Sequence, residues 1–127
     1  MRTKEYFFLC LTLLVVASVT HAQDPYGILK KPIPDKTVVL TFDDGCKSDV
    51  ELVAPLLKKN GFGATFYITQ GLSFKTRKDW YLTWDEIKSI EKMGFEIGNH
   101  TVKHMGLSAH SLETCIKETV GMEEAFK

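Results

Sequence analysis

Two short segments of the sequence carry residue types that bind metals and move protons. One is Thr-Phe-Asp-Asp-Gly at 41–45, which directly follows an apolar run, and the other is His-Thr-Val-Lys-His at 100–104. Imidazole is the commonest protein ligand for zinc, and a carboxylate completes a three-ligand site with a position left open for water. If the second segment forms a helical turn, its spacing puts the rings of His100 and His104 on one face. Together the two segments predict a metal site.

Adjacent carboxylates at the end of an apolar strand need an explanation, because Asp43 and Asp44 repel one another and are costly to bury. Successive residues of an extended chain point in opposite directions, so one could bind the metal while the other takes a proton from water. Spacing alone leaves open which of the two is the ligand. A solvated turn is the alternative, since Asp-Asp-Gly is a common turn composition. His110 precedes a predicted helix cap and is expected at the surface.

The elements that must position these residues repeat in order. Apolar, β-branched or aromatic segments predict strands at 38–42, 64–68 and 95–97, the last followed by a turn at Gly98-Asn99. The first strand, Val38 to Phe42, is expected to be covered on both faces. A polar loop at 70–82 contains Trp80 and Tyr81, which together with Trp84 are expected to serve packing more than sugar stacking.

A helix is predicted after each strand. Ser-x-x-Glu at 48–51 and Thr-x-x-Glu at 83–86 both have the form of a capping box, and a third helix begins near Ser111. The apolar residues of the third helix lie at i, i+4 and i+8 and predict its inward face: Leu112, Ile116 and Val120.

Three β–loop–α units predict parallel strands joined by right-handed crossovers, and therefore an α/β fold. Active sites of such folds form where the carboxyl ends of the strands meet the following loops. Because 41–45 and 100–104 both fall at strand ends, they are expected on the same face of the sheet.

Composition restricts the class of protein. The chain has 127 residues with equal numbers of basic and acidic side chains, so it holds one domain at most and shows no electrostatic sign of a nucleic-acid partner. Residues 1–22 have the basic start, apolar core and small-residue end of a signal peptide, and 23–37 is a proline-rich extended lead-in. The mature protein is therefore expected to be secreted or periplasmic, without stable insertion in a membrane. Its two cysteines, Cys46 and Cys115, could pair or stay free.

The two motifs, with their surroundings, resemble the polysaccharide deacetylase family, the NodB-homology domain of carbohydrate esterase family 4. Gly-Ala-Thr-Phe-Tyr-Ile at 63–68 and Phe-Glu-Ile-Gly-Asn-His at 95–100 add to the resemblance. The resemblance implies a distorted (β/α) barrel that hydrolyses N- or O-acetyl groups of a polysaccharide or oligosaccharide such as chitin, peptidoglycan or xylan. It further implies that Asp44, His100 and His104 hold a divalent metal, zinc in most members, and that Asp43 is the general base.

The sequence departs from the family pattern after the second motif. The later arginine and the leucine–histidine pair of the family have no counterpart, since Arg77 precedes the histidine motif and His110 follows it at once. Three β–α units cannot close a barrel that needs roughly 200 residues or more. Residues 38–127 are therefore expected to be the N-terminal part of the domain, with an uncovered third strand.

Three alternatives remain at this stage. The first is a non-catalytic glycan-binding module that keeps the metal ligands. The second is a metal-dependent amidase acting on a C–N bond outside sugars. The third is a ferrous oxygenase, which uses two histidines and one carboxylate but usually on an all-β scaffold.

Overall fold

The structure of the chain is a computed structural model, and it describes residues 32–127. The predicted signal peptide and the first part of the predicted lead-in lie outside these residues. The chain divides into two units, Met1–Asp35 and Lys36–Lys127, and the second carries every strand and helix described below. Within 32–127, no helix combines the length and the apolar character needed to cross a membrane.

Three parallel strands form the sheet. They are β1 (Thr41–Phe42), β2 (Thr65–Ile68) and β3 (Glu96–Asn99), in the spatial order β1-β2-β3. The register pairs Phe42 with Phe66, and Phe66 with Ile97. The prediction of parallel β–α units in an α/β fold is confirmed.

Helices follow each strand. A π-helical turn over Asp49–Val53 continues into α1 (Ala54–Lys59), and α2 (Trp84–Lys92) and α3 (Leu112–Ala125) follow β2 and β3. The capping box at Thr83 is confirmed, with Glu86 N–H donating to the Thr83 hydroxyl and the Glu86 carboxylate accepting from Thr83 N–H. The box predicted at Ser48 is wrong, because that side chain makes no capping hydrogen bond.

The core lies between the sheet and the helices. Phe66 of β2 is fully buried, stacks on Phe42 and meets Phe95 edge-on. Buried apolar side chains surround this aromatic group: Ala54, Ile68, Phe74, Leu82, Ile87, Ile90 and Met122. Since the aromatic group lies on the strands, it fixes the strand ends from which the motif loops depart.

The strand predictions need two corrections. The first strand is shorter than expected, and Val38 and Val39 are each 77% exposed because no further strand of the described chain pairs beyond β1. The turn predicted at Gly98-Asn99 is instead the end of β3, which keeps its register with Tyr67 and Ile68 of β2.

The third helix begins at its predicted cap, Ser111, but packs through a different face. Leu112, Ile116 and Val120 are 77%, 52% and 50% exposed, whereas Met122 and Glu118 are buried. We call the exposed row of Leu112, Ile116 and Val120 the α3 apolar stripe. Periodicity identified an apolar face, but the helix packs on the core through Met122 and Ala125 instead.

Candidate metal centre

The loop after β1 is held by the segment that precedes α2. Leu82 N–H donates to Gly45 O at 2.9 Å, Lys47 N–H donates to Trp80 O at 2.7 Å, and Cys46 bridges to Tyr81. Asp44 and Gly45 both have left-handed backbone angles, with φ of 74° and 68°. Glycine suits this conformation, whereas an aspartate there stores strain of about 1–3 kcal/mol that the surrounding contacts must hold. The result is a sharp turn immediately after β1.

The segment 100–104 is an irregular loop, so the expected helical turn is wrong. Thr101 and His104 have φ of 67° and 57°, which places two further non-glycine residues in the left-handed region. The Thr101 hydroxyl accepts His104 N–H at 3.1 Å, and Asn99 Oδ1 accepts Thr101 N–H at 2.9 Å. Turn chemistry, not helical spacing, therefore brings the two imidazoles together.

The two imidazoles and one carboxylate converge. His104 Nε2 lies 3.1 Å and His100 Nε2 3.4 Å from the same oxygen, Asp44 Oδ1. The rings meet edge-on with centroids 4.8 Å apart, and the ligand atoms of the three residues all lie within 4.8 Å of one another. Asp43, the residue before Asp44, is exposed and is not one of the three converging residues.

The donor set fits a divalent metal. Asp44 Oδ1 is buried and has no hydrogen-bond partner, although two ring nitrogens face it. Ligand atoms about 2.0–2.1 Å from a tetrahedral zinc lie about 3.3 Å apart, which is close to both measured nitrogen–oxygen distances. An unpaired buried carboxylate oxygen is costly, and a cation between it and the imidazoles would remove that cost.

Other residues singled out from the sequence lie away from this group. His110 is exposed, as expected. Cys46 and Cys115 are both free thiols. Arg77 forms a bidentate ion pair with Asp79 and lies over the ring of exposed Trp80, so it does not reach toward Asp43 as an orienting arginine would. Trp84 and Tyr81 pack against the core, as expected, whereas Trp80 does not.

A pocket of about 300 Å³ opens directly beside the imidazoles. We call the segment 100–104 the histidine loop. The walls of the pocket are formed by this loop and the residues that follow it: His100, Thr101, His104, Met105, Gly106 and Leu107. The lining includes both imidazoles of the donor set but neither Asp43 nor Asp44. A second groove, between α2 and the end of α3, lies around Trp84 and Phe126 and belongs to the packing of those helices.

Asp49 is a buried carboxylate that the sequence reading missed. It is 4% exposed, and one of its oxygens has no hydrogen-bond partner. Burial raises the pKa of Asp49 from 3.8 to about 6, and the nearby Asp44 charge adds to the increase, while a hydrogen bond from the Cys46 backbone opposes it. The Ser-x-x-Glu pattern at 48–51, which includes Asp49, gives no sign of its burial.

Asp49 predicts a pH dependence of stability in the metal-free chain. Because its pKa is raised on folding, the stabilisation from the protonated acid is complete below about pH 3.8 and is lost as pH rises through about 6. At about 1.36 kcal/mol per pKa unit, the loss is about 2–3 kcal/mol. We expect Asp49→Asn to abolish this decline, measured as the free energy of unfolding by urea between pH 4 and 7 in the presence of a chelator.

The matched control for that measurement is Asp85→Asn, at an exposed position in the first turn of α2. It should leave the decline with pH unchanged. An Asp49→Asn chain that loses stability with pH as steeply as the wild type would contradict the assignment.

The segment after β2 contacts the histidine loop through Thr69 and Gly71. Thr69 is fully buried, and its hydroxyl donates to Val102 O at 3.3 Å and accepts Gly71 N–H at 3.0 Å. A Cβ added at Gly71 would lie 2.7 Å from the carbonyl carbon and oxygen of Lys103 and 3.0 Å from His104 Cβ. The loop can therefore lie this close only because residue 71 has no side chain.

We expect Gly71→Ala to displace the histidine loop. The added methyl group meets backbone, which cannot rotate away, so stability should fall by about 1–3 kcal/mol and zinc affinity should fall with it. Thermal unfolding and zinc titration measure the two effects. Gly106→Ala is the control, because a Cβ there meets nothing within 4 Å. Equal zinc affinity in both variants would show that the close contact at Gly71 does not set the loop position.

Comparison with known proteins gives a consistent result. A profile of the family described as polysaccharide deacetylase matches residues 30–127. Peptidoglycan-N-acetylglucosamine deacetylase of Bacillus cereus is 33% identical over 107 residues, which are 82% of this chain and 47% of the relative. The chain spans less than half the length of the curated relatives it matches.

Solved structures agree with the sequence matches. The Streptococcus pyogenes deacetylase PplD, in complex with acetate, superposes with a TM-score of 0.62 at 29% identity, over 73% of this chain and 41% of that one. A family 4 carbohydrate esterase from Bacillus anthracis gives a TM-score of 0.56 at 30% identity, over 70% and 40% of the two chains. The expected incomplete barrel is consistent with these shares.

Proposed function

Because the chain belongs to the polysaccharide deacetylase family, we propose that it carries the metal centre of a hydrolase that removes N- or O-acetyl groups from a polysaccharide. One observation supports this most strongly: the buried Asp44 Oδ1 has no hydrogen-bond partner and faces the Nε2 atoms of His100 and His104. The reaction class comes from the relatives, and the three converging side chains are the residues that would bind the metal.

In this proposal Asp44, His100 and His104 hold a divalent cation, with zinc the expected metal. A cation bound there would polarise the acetyl carbonyl and lower the pKa of water. The two neutral imidazoles and one carboxylate leave the group with a net positive charge when loaded, which favours the negative charge that develops on the carbonyl oxygen.

Asp43 is the proposed general base. Asp44 has a buried, unpaired oxygen that faces the imidazoles, whereas Asp43 is exposed, so that one can bind while its neighbour stays in solvent. Asp43 is an exposed carboxylate one residue before Asp44, and in this role it would accept a proton from the attacking water, a transfer that contributes roughly 10²–10⁴-fold to rate. In this proposal the chain supplies one general base, Asp43, and three metal ligands, Asp44, His100 and His104.

A second candidate is a non-catalytic glycan-binding module. It is favoured by Arg77, the only arginine among the described residues, which is bound to Asp79, so that Asp43 has no orienting arginine from this part of the chain. The two proposals share the cation site and differ in whether acetate is released.

The substrate class and the location complete the proposal. Peptidoglycan N-acetylglucosamine, named for the Bacillus cereus relative, is the acetylated glycan we propose first, and chitin oligomers and xylan are the others to compare. Because such polymers lie outside the cytoplasm, the proposal includes export through the signal peptide expected at 1–22.

The test is acetate release by the purified full chain, and by any longer product of its reading frame, with zinc added or chelated. Peptidoglycan, chitin oligomers and acetylated xylan separate N- from O-deacetylation, and a non-sugar N-acetyl amide tests the amidase alternative. Zinc-dependent acetate release from a glycan supports the proposal. Zinc binding with no release from any form indicates the binding module, and no zinc binding at all contradicts the metal centre.

A further inference from the structure

The backbone of the histidine loop is anchored to α3 through one residue, Glu118. Glu118 Oε2 accepts Lys103 N–H at 2.7 Å, and the main-chain oxygen of Glu118 accepts Val102 N–H at 3.2 Å. Val102 and Lys103 are consecutive residues between the two imidazoles. One residue of the third helix therefore holds the middle of the loop at two points.

Glu118 is, with Asp49, one of two buried carboxylates among the described residues. It is 5% exposed, and none of the ion pairs formed within the described residues includes it. A buried carboxylate without a cation is costly unless backbone donors satisfy it. Its side chain accepts the Lys103 N–H of the histidine loop, so this buried carboxylate contributes to the position of the loop.

The two ends of the loop are shaped by local hydrogen bonds. Thr101 and His104 hold left-handed backbone angles, which persist only where the surroundings fix them. Their own hydrogen bonds are local, between Asn99, Thr101 and His104. Local bonds shape each end of the loop, and the segment between the histidines is held by Thr69 and Gly71 from the segment after β2 and by Glu118 from α3.

We propose that Glu118 is a positioning residue that fixes the separation of His100 and His104 and thereby sets the cation affinity of the centre. The inference rests on the metal centre of the proposed function. Neighbours that orient metal ligands typically change affinity by about 10–100-fold when removed. Glu118 contacts no metal ligand directly. It acts through the loop backbone at Val102 and Lys103, between the two histidines.

Two variants and one control test this in the full chain. Glu118→Met keeps a similar volume but removes the acceptor, and we expect zinc affinity to fall by about 10–100-fold. Glu118→Gln retains an acceptor oxygen for Lys103 N–H and should keep zinc affinity within about threefold of the wild type. The control is Glu113→Gln on the same helix, where the carboxylate is exposed and paired with Lys117, and it should bind zinc as the wild type does.

Hydrogen exchange of the Lys103 amide, measured without metal, is the second readout. It should speed up by about tenfold or more in Glu118→Met and by less in Glu118→Gln, while amides of β2 keep their protection. Wild-type zinc affinity in Glu118→Met, or equal losses in the Met and Gln variants, would overturn the inference. If Glu118→Met does not fold, Glu118→Ala removes the same acceptor, and wild-type Lys103 exchange and zinc affinity in that variant overturn the inference.

The two readouts separate this inference from the proposed function. A wild-type chain that binds no zinc contradicts the proposed metal centre, but Lys103 exchange still decides whether Glu118 holds the loop. A chain that binds zinc normally in every Glu118 variant contradicts the inference alone.

Discussion

Replacing His104 with alanine is expected to weaken zinc binding by about 10²–10³-fold, because apparent zinc binding energies of roughly 10–16 kcal/mol are shared among about four ligands. The Nε2 atom of His104 is the nitrogen nearest to Asp44 Oδ1, at 3.1 Å. Its removal leaves His100 and Asp44, which cannot enclose a cation. Zinc titration of the purified chain, by calorimetry or against a chelating dye, measures the loss.

His110→Ala is the matched control, since His110 is an exposed imidazole close in sequence that takes no part in the donor set. It should bind zinc as the wild type does. Zinc-dependent thermal stabilisation should likewise disappear in His104→Ala and persist in His110→Ala, because a cation that binds only the folded state adds stability by mass action. Retained wild-type affinity in His104→Ala would remove His104 from the centre.

Replacing Asp43 with asparagine is expected to separate catalysis from binding. In whichever form of the protein releases acetate, the rate should fall by about 10²–10⁴-fold, the usual contribution of a positioned general base. Zinc affinity should stay within about threefold of the wild type, because Asp43 lies outside the donor set while Asp44 supplies the carboxylate. The pair of measurements is acetate release at saturating substrate and zinc titration.

Asp85→Asn, an exposed change at the start of α2, is the control for charge loss without loss of the base. Two results would contradict the role of Asp43. Unchanged acetate release would assign the base elsewhere, and a large loss of zinc affinity would make Asp43 a ligand.

The parts of the fold that were correctly anticipated depend on local chemistry. Thr83 and Glu86 cap α2 through reciprocal hydrogen bonds three residues apart, and that pattern is readable without any tertiary contact. The alternation of strand and helix was readable for the same reason. Together these fix the parallel order of the units and bring the two motif loops to one end of the sheet.

The donor group was anticipated for a reason that was partly wrong. A spacing of four residues suggested a helical turn for His100 and His104, whereas the structure uses left-handed residues and a threonine hydroxyl. Several backbone routes can join the same two ring nitrogens, so a sequence spacing identifies candidate ligands without specifying the path between them. The metal-binding roles themselves stay predictions.

What could not be anticipated is burial set by distant partners. Val38 and Val39 have the composition of a covered strand, but composition does not reveal whether a neighbour exists on that side. Glu118 and Asp49 are carboxylates in helical segments, which usually face water. Their burial follows from where α3 and the loop after β1 pack, and no periodicity in the sequence encodes it.

The α3 apolar stripe affects how strongly copies of the chain associate in solution. Its three side chains lie in a row and are at least half exposed, while β1 and β3 form the two ends of the sheet within the described residues. Apolar rows and open strands promote association between copies, and the hydrophobic part of that attraction weakens on cooling. We therefore expect preparations of these residues to be most soluble when they are cold and dilute, and to precipitate on warming.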